Sequence, residues 1–205
     1  MLGGWALRQE ICTANANGQV ADLIQRMEAG AMAPPPLIAE CRFLPPLRAR
    51  TAYAIATAIR ARPIAEGQDR QQMLDHAAAH IEIVLRDNPQ SADAEVTSAF
   101  IAALRPSAER SPERPAIVRS YRLAPFLPAG GGWRLGLAFA DWANLPSDVQ
   151  HHAVEEAVAI ARISPSRKSA IFEMARASAA YAPFLSSWHM ARSADADRAG
   201  AAATP

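Results

Sequence analysis

Five histidines, two cysteines and a single lysine, Lys168, bound the chemistry open to this 205-residue chain. His76 and His80 lie four residues apart, so on a helix they share one side, as zinc ligands do. The intervening "HAAAH" lacks the glutamate that serves as general base in HExxH. "HHAVEE" sets His151 near Glu155 and His152 near Glu156, a spacing that suits either a carboxylate–imidazole site or ordinary helix-surface pairs. A small helical metal-dependent enzyme would work through His76/His80 or through the His151–Glu156 cluster. Gly130, Gly131 and Gly132 suggest a phosphate cradle, but Pro128 precedes them, no strand leads in and no GK[ST] follows. A corner between helices is the expected role. In "SPSRKS" the serines stand four and two residues before Lys168, so SxxK is not met, and GxSxG is absent. Cys12 and Cys41 form no CxxC pair and lie too far apart to imply a zinc site or a bridge. Two semi-buried thiols are expected. The chemistry-bearing residues therefore point away from an enzyme, with no cofactor and no metal called for.

The bulk composition fits that reading. Half of the residues are hydrophobic, 20% are charged and 6% are aromatic, and about a fifth are alanine. Such a chain can bury a core, and its small side chains let helices approach closely. Alanine favours helix and disfavours strand. The formal charge of +1 argues against a general polyanion-binding surface. One basic run, Arg42, Arg48, Arg50, Arg60 and Arg62, holds Tyr53 as its single aromatic, and no nucleic-acid partner is expected from it. No stretch approaches the length of a membrane span. The start, with Leu2, Trp5 and Leu7 before Arg8, reads either as the trailing end of a missing upstream anchor or as the opening of the first core helix.

The elements that would position these residues are helices throughout. A first pair is expected at 3–14 and 17–30, broken at "NANG", followed by an extended connector at Pro34–Pro36 with at most a short helix near 37–43. Further helices are expected over 48–62, 69–87 and 92–104, the last capped by Ser91. Ser111 and Pro112 would start a helix to Leu123. Then come 132–143, a helix over 147–163 with a Ser147–Gln150 capping box, one from Pro165 to about Tyr181, and a short one from Pro183 to Trp188. Met73, Ala77, Ile81, Val84 and Leu85 form one apolar stripe, with Asp75, Glu82 and Arg86 opposite. Residues 1–190 are expected to form one helical domain. Residues 191–205, poor in bulky apolar side chains, are expected to be a flexible tail.

Three segments end alike: "AAAHIEIVLRDNP", "AIVRSYRLAP" and "AVEEAVAIARISP". Their prolines, Pro89, Pro125 and Pro165, are 36 and 40 residues apart. Each segment places a small residue, two bulky ones and a proline at fixed steps: Ala77, Ile81, Val84 and Pro89; Ala153, Ala157, Ile160 and Pro165; and, more poorly, Glu113, Ile117, Ser120 and Pro125. Over 48–165 the chain resembles degenerate tetratricopeptide repeats, with second helices matching better than first ones. "SYRLAP" through "GWRLGLAFADWANLPSDVQHHAVEEAVAIARISP" is similar in style to small helical-repeat proteins of bacterial cell-envelope and polysaccharide gene clusters. The resemblance implies an all-α fold, a short irregular α-solenoid of antiparallel helix pairs. It also implies a non-enzymatic scaffold that binds a protein or peptide along its first helices, in an envelope setting, periplasmic or membrane-tethered, with the cytoplasm as the alternative. The surface it implies holds Asp93, Val96, Phe100, Arg134, Asp141 and Trp142. His76 and His152 precede equivalent alanines, which points to flanks of helix packing rather than to an active site.

Overall fold

The computed structural model describes residues 2–28, 46–106, 111–127 and 131–202. The 29–45 connector, Cys41, Arg42 and Gly130 lie outside the described residues. Among the described residues every regular element is helical. The chain divides into two compact units, Met1–Glu113 and Arg114–Pro205, where the sequence pattern leads one to expect a single domain over 1–190.

Unit 1 holds α1 (Leu2–Glu28), α2 (Leu47–Ala61), α3 (Gln68–Asp87) and α4 (Ala92–Leu104). Helix α2 packs against α1, α3 and α4, and α3 also packs on α4. The composition of α2 explains its place. Ala49, Ala52, Ala54, Ala56, Ala58 and Ala61 are all buried, and such small side chains let neighbours close on the helix from several sides. Ala54, Ala58 and Ala61 meet Leu74, Ala77, Ile81 and Val84 of α3 and Ala94 and Ile101 of α4 in one cluster. Asp75, Glu82 and Arg86 face solvent, as the α3 stripe requires. Ser91 caps α4, its hydroxyl accepting from the Ala94 amide at 3.3 Å.

Helix α1 differs from expectation. It runs unbroken through "NANG". Asn15, Asn17 and Gly18 are exposed, and a side chain at Gly18 would meet open space. A glycine inside a helix costs about 1 kcal/mol relative to alanine. The buried face of Cys12 and Ala16, packed with Ala49, Ala52 and Tyr53 of α2, offsets that loss. Cys12 is disulfide-bonded, which corrects the expectation of two free thiols. Sequence separation is a poor guide to a bridge, because helix docking sets the Cα distance that a disulfide needs.

Unit 2 holds α5 (Arg114–Leu123), α6 (Gly131–Ala140), a 3-10 turn (Trp142–Asn144), α7 (Ser147–Ile163), α8 (Pro165–Arg176) and α9 (Tyr181–Ala202). Helix α7 packs against α5, α6, α8 and α9. Val149, Ala153, Val154, Ala157, Val158, Ile160 and Ala161 are all buried on it, spread over more than one stripe. The expected Ser147–Gln150 capping box is not formed. Pro146 is the N-cap residue, and the Gln150 amide instead donates to the Trp142 carbonyl at 2.8 Å, tying the 3-10 turn to α7. Helix α5 begins at Arg114, two residues past Pro112. Helix α9 continues to Ala202 through the stretch expected to be a flexible tail. Alanine propensity carries the helix through that stretch, where Asp195 pairs with Arg162 and Arg198.

Candidate functional site

Two polar groups stand out in unit 2, one sealed and one open. The sealed group is built on Arg134 of α6 and Glu156 of α7, both with fully buried side chains. The Arg134 Nε donates to Glu156 Oε2 at 3.0 Å, and its Nη2 donates to Glu156 Oε1. Its remaining donors reach the Ala124 carbonyl at 2.7 Å, the Pro125 carbonyl at 3.3 Å, and the Ser120 carbonyl and hydroxyl at 3.3 and 3.2 Å. The Ser120 carbonyl also accepts from the Ala124 amide at 2.9 Å, while Ala124 and Pro125 lie past the last turn of α5, so Arg134 caps that helix from a neighbouring element. Glu156 accepts in addition from the Tyr121 hydroxyl at 2.9 Å and the Leu127 amide at 2.8 Å. The Arg134 guanidinium lies 4.0 Å from the centre of the Tyr121 ring. Burial, then the neighbouring Glu156 carboxylate, pushes the Tyr121 hydroxyl well above its ordinary pKa. The network holds residues 124–127, just past α5, against α7.

Gly131 belongs to the same corner. A Cβ there would come within 2.8 Å of Ile160 Cδ1 and 3.3 Å of Glu156 Oε1. Gly131, the first residue of α6, thus serves close helix approach, whereas a side chain at Gly132 would meet open space.

The residues expected to line a partner surface are distributed differently. Asp93 is exposed, Phe100 is half-buried against the unit 1 core, and Val96 is buried. Arg134 is 0% exposed, and Asp141 and Trp142 present less than a tenth of their surface. Asp141 is held by Arg114 and by the Asn144 amide at 2.7 Å, and Trp142 stands edge-on to Phe139 with centroids 5.8 Å apart. Val96, Arg134, Asp141 and Trp142 are therefore buried and leave little area for a partner. For Arg134 and Trp142 the reason is that aromatic and arginine side chains suit both binding surfaces and cores, and only packing tells which.

The histidines occupy neither group. His76 is exposed and His80 buried, and their rings meet edge-on at 4.8 Å, with Tyr53 6.3 Å from His80. On α7, His151 and His152 both reach Glu155, at 3.3 and 3.4 Å, on the outer face. Glu156, about 100° further round the helix, points into the buried network instead. His151 and Glu156 therefore form no common cluster. Among the described residues no group of three or more histidine, cysteine or carboxylate side chains could hold a metal ion. No helix among them is long and apolar enough to cross a membrane.

The open group lies where α7 ends, α8 begins and α9 crosses both. Arg162, Ile163, Lys168, Trp188, Arg192 and Asp195 line a cleft of about 670 Å³ there. Trp188, Arg192 and Asp195 stand at i, i+4 and i+7 and so share one face of α9. Trp188 is mostly buried against Phe172 and Phe184 and forms a wall. The Lys168 ammonium sits 5.1 Å from its ring centre. One terminal nitrogen of Arg162 donates to both Asp195 oxygens, at 2.8 and 2.7 Å. Ile163 is 75% exposed at the lip. The lining brings three cations against one carboxylate. Among the described residues neither Lys168 nor Arg192 meets a carboxylate partner, since the ion pairs of this region join Asp195 to Arg162 and Arg198.

This cleft was not anticipated from the sequence. Its one visible signal was the isolated Lys168 within "SRK"; Arg192 and Asp195 fell in the stretch expected to be a tail. No family model matches the chain, and neither a curated protein nor a solved structure matches it.

Proposed function

We propose that the protein is a non-catalytic helical module that binds a segment of another protein, with the cleft between α7, α8 and α9 as the binding surface. The observation that carries this reading is the pairing of an exposed apolar lip, Ile163, with two cations that meet no carboxylate partner among the described residues, Lys168 and Arg192. Clefts that join apolar area to a few placed charges suit recognition. The resemblance to tetratricopeptide-type repeats supports a binding role, because paired helices of that kind serve as scaffolds. With it we propose an envelope setting. The resemblance to small helical-repeat proteins of polysaccharide gene clusters supports that setting, and a disulfide at Cys12 suits an oxidising compartment.

A photo-crosslinking amino acid at Ile163, with a control at the exposed His151, tests the reading in the native cell. One discrete protein adduct is expected from position 163, lost when Lys168 and Arg192 are both replaced by glutamate. Equal labelling from both positions, or none from 163, overturns it.

A further inference from the structure

We infer that the cleft receives an acidic segment of the partner protein, and that Asp195 occupies the carboxylate-binding position of Arg162 while the partner is absent. The inference rests on the binding reading above and names the chemistry of its ligand. The whole chain carries a net charge of only +1, yet the cleft lining gathers Arg162, Lys168 and Arg192 around a single carboxylate. The lining therefore carries more positive than negative charge. The Arg162–Asp195 pair shows how a carboxylate sits here, with both oxygens within 2.8 Å of one guanidinium nitrogen. Both side chains of that pair are close to half-exposed, so the contact is weak and can be exchanged for one made by a ligand.

The apolar lip decides the class of ligand. A free anion would engage the cations and leave Ile163 in water, whereas a peptide with an acidic residue beside an apolar one covers both. A single-stranded nucleic acid would need an open aromatic face for base stacking, and Trp188 is 8% exposed. Charge complementarity and the exposed isoleucine together select a peptide of alternating acidic and apolar character.

Fluorescence anisotropy of the full chain with a labelled Asp-Leu repeat peptide tests this, with an Asn-Leu peptide of equal length as control. Loss of a charge-assisted contact predicts binding about ten-fold weaker or worse for the Asn-Leu peptide, and likewise for the Lys168→Ala/Arg192→Ala variant. Asp195→Asn releases Arg162 and is expected to tighten the Asp-Leu peptide several-fold. A circular-dichroism melt checks that each variant is folded, and Arg192→Ala alone serves if the double variant is not. No binding of the Asp-Leu peptide, equal binding of the two peptides, or weaker binding in Asp195→Asn overturns the inference. Stronger capture by phosphatidylglycerol vesicles or by oligothymidylate, abolished by the same double variant, also overturns it in favour of a membrane or a nucleic acid. If the adduct at Ile163 persists while the peptide arms fail, the acidic ligand is wrong and the binding module stands. If both fail, the module falls as well.

Discussion

In unit 1, Arg70 of α3 reaches across to the end of α4 and donates to the Leu104 carbonyl at 2.7 Å, from a half-buried position. In unit 2, Arg134 of α6 does the same for the end of α5, from a fully buried position and with a carboxylate behind it. The settings differ in what surrounds the arginine. The core of unit 1 is alanine and aliphatic side chains in close helix contact, and its arginine works at the rim. Unit 2 places the arginine inside, where each donor needs an acceptor and Glu156 must balance the charge. The geometry of unit 1 is thus set by how near its helices can come. That of unit 2 is set by a polar network with one satisfying arrangement, and a network of that kind tolerates little change.

The sharpest way to break this contrast is to remove one member of the buried pair. Glu156→Gln or Arg134→Ala is expected to destabilise by about 3–5 kcal/mol, because an unbalanced charge is left buried. Arg70→Ala, at the rim, should lose about 1–2 kcal/mol as an ordinary hydrogen bond to a carbonyl. Chemical denaturation of the variants measures both, and equal losses would erase the distinction. The network also has a pH signature. The Tyr121 pKa is raised in the folded state, so its contribution is fully present below the ordinary tyrosine value and is lost as pH rises from there toward the folded value. Tyr121→Phe should flatten the alkaline arm of the stability curve.

Next in size is the disulfide of Cys12, which has no counterpart in unit 2. Reduction is expected to lower the stability of unit 1 by about 2–4 kcal/mol. Hydrogen exchange with and without reductant should accelerate in α1 and α2 and leave the central α7 unchanged. Uniform acceleration would show that the units do not respond separately.

The smallest effect sharpens the account of unit 1. Ala77 has no exposed surface and lies in the cluster of α2, α3 and α4. Ala77→Leu should overpack it and lose about 1–3 kcal/mol. A neutral or stabilising result in a thermal melt would mean that close approach does not set this core.

Much of the local structure was legible. Alanine content, the stripe through Ala77, Ile81 and Val84, and the Ser91 cap foretold α3 and α4 closely, since each depends on neighbours within about one helical turn. "NANG" misled because asparagine and glycine mark a turn only when nothing packs against the continuing helix, and here Cys12 and Ala16 dock on α2. The Ser147–Gln150 box misled because Pro146 takes the cap position and the Trp142 carbonyl offers Gln150 another acceptor. Arg134 is expected on a partner surface for want of any local sign that Glu156, 22 residues further on, receives it.

What the sequence determined unaided is the all-helical character, most helix limits and the burial of the alanine positions. These follow from backbone propensity and a period of 3.6 residues, which are short-range properties. Tertiary structure alone decided that Arg134 meets Glu156 across 22 residues and that Arg162 meets Asp195 across 33. Those pairings, and with them the sealed network and the open cleft, exist only once helices have docked. Which partner a charge finds depends on distances in space that no local pattern encodes.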